Sequence, residues 1–181
     1  HPDRQVHMIK DVAVYLDGTA ADAPRIAHAA AVCARFDAHL TGLYLNAIPA
    51  LVIVDEGAAG VAGLVWELRR DAIAAGDATE RRLAGRLSAA APLSELRRRD
   101  LDLDRFADAM AAQGRTSDLT VTTRPYDDGA ADIDPRIVEA ALFGSGRGAL
   151  IVPPTGAVPE RFRTVVIGWR DADDKGRVDA L

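Results

Sequence analysis

Asp11-Val12-Ala13-Val14-Tyr15-Leu16-Asp17-Gly18-Thr19 is the stretch whose reading decides the fold. Val12 to Leu16 is a short apolar run without alternation, the form taken by a strand buried on both faces of a parallel sheet. Asp17-Gly18 ends it in a tight turn. Behind the turn, Ile26, Ala27, Ala30, Ala31, Ala34 and Phe36 recur at helical spacing. Thr19 or Asp22 stands as N-cap, and Pro24 is tolerated in the first turn. Ala38 to Leu45 then reads as a second strand, left through Asn46 to Pro49. Strand, turn, helix and strand make one βαβ unit.

The rest of the chain repeats the alternation. Gly60 to Ala91 has a helical pattern with Leu64, Trp66, Leu68, Ile73, Leu83 and Leu87 as apolar marks and Gly76 as a soft point. Ser94 to Asp100 is a more polar strand, and so belongs nearer a sheet edge. Arg105 to Gln113 is a helix stopped by Gly114, and Leu119 to Thr123 is a β-branched strand ended by Arg124-Pro125. An Asp- and Gly-rich loop leads to a helix at Pro135 to Phe143, followed by a fifth strand, Gly148 to Val152, closed by Pro153-Pro154. The order β-α-β-α-β-α-β-α-β predicts an α/β three-layer sandwich: a five-stranded, mainly parallel, Rossmann-like sheet covered by helices on both sides. Ligands of such sheets bind beyond the carboxyl ends of the strands, where the strand order reverses. That place collects Asp17-Gly18-Thr19 and Thr123 to Gly129.

Composition removes several classes of function. The 181 residues carry a net charge of -5, with 49% hydrophobic and 27% charged residues, which excludes collagen-like, disulfide-stapled and largely disordered chains. An acidic chain lacks the clustered Lys/Arg excess that phosphate-backbone binding needs, so no nucleic acid is expected. The basic run Arg97-Arg98-Arg99, followed at once by Asp100, reads as a solvated edge. Cys33 is the single cysteine and reads as a small core residue; with no CxxC or Cys/His spacing, no metal site is expected. No stretch reaches the roughly 18 to 20 apolar residues of a membrane span, and His1 to His7 lacks the apolar core of a signal peptide. Residues 1–8 read as an expression remnant or a disordered start, and the expected location is cytoplasmic.

Taken in order, four stretches resemble the universal stress protein family. They are Ile9 to Thr19, Ala34 to Tyr44, Ser117 to Val121, and Gly144-Ser145-Gly146-Arg147 leading into Leu150-Ile151-Val152-Pro153. The resemblance spans nearly all of 9–154. It implies the adenine nucleotide alpha hydrolase-like form of the sandwich, usually dimeric, with some members binding ATP and others not. Arg163 to Asp171 restates Lys10 to Gly18, which looks like the first strand and start of the first helix of a second, incomplete repeat at 161–181, reached through a linker at 155–160. A plain C-terminal β extension is the other reading of that segment.

ATP-binding members of the family wrap the phosphates with a Gly-x-x-Gly after the fourth strand, then nine residues and a Gly-Ser or Gly-Thr pair. Glycines allow close backbone approach, and a helix N-terminus offers free N–H groups. Here Arg124-Pro125-Tyr126-Asp127-Asp128-Gly129 occupies the loop, and Asp127, Asp128, Asp132 and Asp134 favour the next helix as caps while repelling a triphosphate. Gly144 reads as a left-handed C-cap residue, with Arg147 complementing the dipole. Asp17 matches a family position that contacts nucleotide, and it serves equally to stiffen the turn; Thr19 carries the same ambiguity. The candidate nucleotide pocket is therefore Asp17, Gly18, Thr19, Arg124 and Gly129.

No catalytic constellation emerges from His28, His39 or any Ser or Cys. Tyr15, Tyr44, Trp66 and Trp169 take core positions by periodicity. The expectation is a non-enzymatic stress-response protein, a homodimer or tandem pseudo-dimer acting on an unnamed protein partner, with weak or absent ATP binding. No cofactor is expected, ATP being the one candidate. The alternatives are an ATP-dependent switch or slow ATP hydrolase, and a small-molecule or lipid carrier using the apolar stretch Leu51 to Leu64.

Overall fold

A computed structural model of the chain describes residues 9–50, 59–125, 134–154 and 158. Strand β1 is Asp11–Leu16, α1 Asp22–Phe36, β2 His39–Ala47, α2 Ala59–Ala90, β3 Ser94–Leu101, α3 Phe106–Arg115, β4 Leu119–Thr123, α4 Pro135–Glu139 and β5 Gly148–Val152. The five strands form one sheet in the order β3-β2-β1-β4-β5, every pairing parallel. The predicted α/β sandwich is thus present, with the polar strand β3 at one edge and β5 at the other. Residues 1–8, the linker apart from Val158, the 161–181 repeat with Trp169, and Gly129 with its loop lie outside the described residues. So do 51–58, the start of the stretch on which the carrier reading rested.

Alternate residues of the strands feed two cores. Val12, Val14, Leu16, Leu40, Tyr44, Leu119, Val121 and Val152 pack with Ile26, Ala29 and Cys33 of α1 and Leu83 and Leu87 of α2. On the other face Tyr15, Leu43 and Leu45 pack with Phe106 and Met110 of α3 and Ile137, Val138 and Ala141. Burial raises the Cys33 thiol to about 11, in keeping with an inert core residue.

Three local expectations fail in whole or in part, each for a packing reason. In the first helix Ile26, Ala30 and Phe36 of the expected apolar set pack on the core, but Ala27, Ala31 and Ala34 are exposed while Asp22, Arg25, Ala29 and Cys33 are buried; in so alanine-rich a segment the apolar pattern marks the face only in part. Trp66, Leu64, Leu68 and Ile73 are exposed, Trp66 at 61%. A 32-residue α2 is about 48 Å long, whereas the nine residues of β2 span about 30 Å, so only the second half of α2 lies on the sheet. After α4 the chain widens into one looser turn, Ala140–Gly144, and the left-handed residue is Gly146, at φ 67. A Cβ at Gly144 would come within 2.8 Å of Ala111 Cβ, so that glycine serves a close approach to α3. Arg115, not Arg147, donates to the Gly144 carbonyl at 3.1 Å.

Candidate functional site

The strand order reverses between β1 and β4, which places the residues following those two strands at one crevice. The turn Asp17-Gly18-Thr19 leaves β1, with Gly18 at φ 84, a conformation L side chains rarely adopt. A Cβ there would also come within 2.8 Å of Thr79 Cγ2 on α2. Arg82 of α2 donates to the Gly18 carbonyl at 2.8 Å, fastening the turn from that side.

Neither expected N-cap acts as one. The cap position is Ala21, with no side-chain bond. Asp22 is fully buried in the first turn and reaches backward, its two oxygens accepting from the backbone N–H groups of Asp17, at 3.1 Å, and Gly18, at 2.8 Å. Thr19 Oγ accepts from Ala21 N–H at 3.3 Å and donates to Asp17 Oδ1 at 2.6 Å. Asp22 therefore holds the turn by its amides, and Asp17 holds it by Thr19.

The organising group is Arg25, which the sequence reading passed over. Its side chain is completely buried. Nε donates to Thr123 Oγ1 at the end of β4 at 2.8 Å, and Nη1 donates to Asp17 Oδ2 at 2.9 Å and Asp22 Oδ1 at 3.2 Å. The guanidinium carbon lies 4.9 Å from the centre of the Tyr15 ring, a cation–π distance. One cation thus joins both sides of the switch point. Its Nη2 finds no hydrogen-bond partner among the described residues, and neither does the buried Thr122 Oγ1.

Two carboxylates share this one guanidinium. Burial, reinforced by the charge of Asp17, pushes the Asp22 carboxyl up to about 6. Burial acts on Asp17 in the same direction, but the Arg25 charge and the Thr19 hydrogen bonds outweigh it and hold Asp17 below its ordinary range. Burial and the neighbouring Asp17 raise the Tyr15 phenol well above its usual range, so it stays neutral.

Of the predicted pocket, Asp17, Gly18 and Thr19 stand together. Arg124 follows β4 at the same end of the sheet, its backbone N–H bonded to the Val152 carbonyl at 3.0 Å. Gly129 is outside the described residues. Asp134 is the expected cap of α4, accepting from Arg136 N–H at 2.9 Å, and its side-chain hydrogen bonds from Arg136 hold its carboxyl low. His28 is buried, with Nδ1 2.8 Å from the Pro24 carbonyl oxygen. Among the described residues no group of His, Cys, Asp and Glu could hold a metal ion, and no helix is long and apolar enough to cross a membrane.

The basic run on β3 is not simply solvated. The Arg98 side chain is 9% exposed and is held by Asp77, Glu80 and Asp100. It also donates to the Ile73 carbonyl of α2 at 2.8 Å.

Comparison with solved structures identifies the fold. A universal stress protein in complex with cAMP superposes with a TM-score of 0.51 at 20% identity, over 82% of this chain and 99% of that one. The universal stress protein UspA from Lactobacillus plantarum gives a TM-score of 0.59 at 15% identity, over 80% and 97%. The chain has the universal stress protein fold, as the sequence resemblance implied. No family model and no curated protein matches the sequence.

Proposed function

We propose that this chain is a universal stress protein that works without chemistry of its own, in the cytoplasm, by pairing with a second copy or a tandem repeat and binding a protein partner. ATP binding is weak or absent. The observation that supports this reading is the state of Asp17. One of its oxygens accepts from both Thr19 N–H, at 2.9 Å, and Thr19 Oγ, and the other accepts from Arg25. A carboxylate so engaged has little capacity left for the hydroxyls of a ribose. The loop after β4 also carries aspartates where phosphate-binding glycines would be needed. Pairing draws support from β5, an edge strand whose Ile151 is 38% exposed.

The structural neighbour with bound cAMP supports a second reading, a nucleotide-dependent switch or slow ATP hydrolase built on the same crevice. Calorimetric titration with MgATP and with cAMP, joined to a phosphate-release assay, separates the two. The non-nucleotide reading expects no saturable heat below about 1 mM ligand and no phosphate release above the protein-free rate. Affinity near 1 μM, about 8 kcal/mol, that disappears in Asp17→Ala overturns it.

A further inference from the structure

We propose that Arg25 is a side-chain plug that decides what the switch point can take: seated between the ends of β1 and β4, it occupies the place and the hydrogen-bonding partners that a nucleoside would use. The inference rests on reading this crevice as the binding site. The guanidinium is fully buried and engages Thr123 on one side and Asp17 on the other. It lies over the Tyr15 ring. Those three groups are a carboxylate acceptor, a hydroxyl and an aromatic face, which is what a sugar with an attached planar base needs. The chain's own cation already satisfies all three. Among the described residues Nη2 has no partner, so this seat leaves part of the guanidinium unserved.

Removal of Arg25 alone would take from Asp17 and Asp22 the one ion-pair partner they have among the described residues, so the test is made in an Asp22→Asn background. An asparagine there keeps one oxygen for one of the two amides, of Asp17 and Gly18, that Asp22 now holds with separate oxygens, and because both compared proteins carry it, the lost bond cancels. Adenosine is the probe, because an uncharged ligand is not repelled by the acidic residues near the crevice. Equilibrium dialysis compares Asp22→Asn with Asp22→Asn/Arg25→Ala and, in case alanine prevents folding, with Asp22→Asn/Arg25→Gln. Circular dichroism and thermal melting establish which variant is folded, and that variant gives the result.

The plug predicts adenosine affinity about tenfold tighter once Arg25 is shortened, and loss of the gain when Asp17→Asn is added. Affinities within about twofold of the Asp22→Asn parent, or a gain that survives Asp17→Asn, overturn it. MgATP bound tightly by the unaltered protein removes the reading of the preceding section whatever the variants do. A folded variant without the plug that gains nothing removes the plug alone.

Discussion

Arg25 and Arg98 both sit toward the carboxyl end of the sheet among carboxylates, and they are held in opposite ways. Arg98 spreads its donors over Asp77, Glu80, Asp100 and the Ile73 carbonyl, so every nitrogen has an acceptor. Its three carboxylates remain 51%, 40% and 32% exposed. Arg25 is completely buried, as is Asp22, while Asp17 is 17% exposed, and one of its nitrogens has no partner among the described residues. Arg98 is a saturated clamp between β3 and α2. Arg25 is an unsaturated ion in the crevice where ligands of this architecture bind. A buried N–H without an acceptor costs about 1 to 3 kcal/mol, a penalty that a purely structural clamp has no reason to carry.

Removing Arg25 gives the largest expected effect. In Arg25→Ala, two buried carboxylates lose their only ion-pair partner among the described residues, and urea unfolding at pH 7 should show a loss of about 3 to 5 kcal/mol. The deficit should shrink near pH 5, where one carboxyl takes up a proton and the repulsion ends. A loss under about 1 kcal/mol at pH 7 would place Arg25 in the same class as a surface ion pair.

The same cluster predicts an unusual pH dependence. Asp22 sits among Asp17, Arg25, Tyr15 and the amides of residues 17 and 18, and its carboxyl is raised to about 6. Between the unfolded value of 3.8 and about 6, the folded state holds a proton that the unfolded state has released, so stability falls as pH rises through this window. At 1.36 kcal/mol per pH unit the change is about 3 kcal/mol. Asp17, whose carboxyl is lowered, acts only below 3.8 and with the opposite sign. The contribution of this cluster therefore peaks near pH 4, and Asp22→Asn should flatten the fall from pH 4 to pH 7. Parallel profiles for the two proteins would refute the assignment.

This contrast explains how far the sequence could be read. Strand positions were legible because Val12–Leu16 and Leu119–Thr123 are buried on both faces and so uniformly apolar or β-branched, and the polar run of β3 announced an edge. The turn after β1 was legible because Asp-Gly has few other uses. Arg25 was not, because a charged residue in an alanine-rich helix reads as solvent-facing. The available signal was its spacing: Asp22, Arg25, Ile26, Ala29 and Cys33 share one inward face, with a cation and an anion three residues apart at its start. Arg98 escaped for a related reason. Its acceptors on α2 lie 18 to 25 residues away in sequence, and only the approach of helix to strand at Gly76 brings them together. A Cβ at Gly76 would run into Arg98 Nη2 and Asn46 Nδ2, so that residue is a contact point and not a soft spot.

Arg98→Ala should cost less than Arg25→Ala, because its carboxylates return to water once the partner is gone. Charge-assisted hydrogen bonds of this kind contribute about 1.5 to 3 kcal/mol, and a loss of about 2 kcal/mol is expected, with little change between pH 5 and pH 7. A loss equal to that of Arg25→Ala would erase the distinction between clamp and plug.

Salt gives the finest separation. The Debye length falls from roughly 14 Å at 0.05 M to about 4 Å at 0.5 M, and screening acts on charges that water can reach. The carboxylates around Arg98 are reachable, whereas Arg25 and Asp22 are not. The stability difference between the unaltered protein and Arg98→Ala should therefore narrow by about 0.5 kcal/mol over that range, while the difference for Arg25→Ala stays constant. Denaturant titrations at the two salt concentrations measure both differences. If the Arg25 difference narrows as much as the Arg98 difference, solvent ions reach the switch point, and the guanidinium is not closing it.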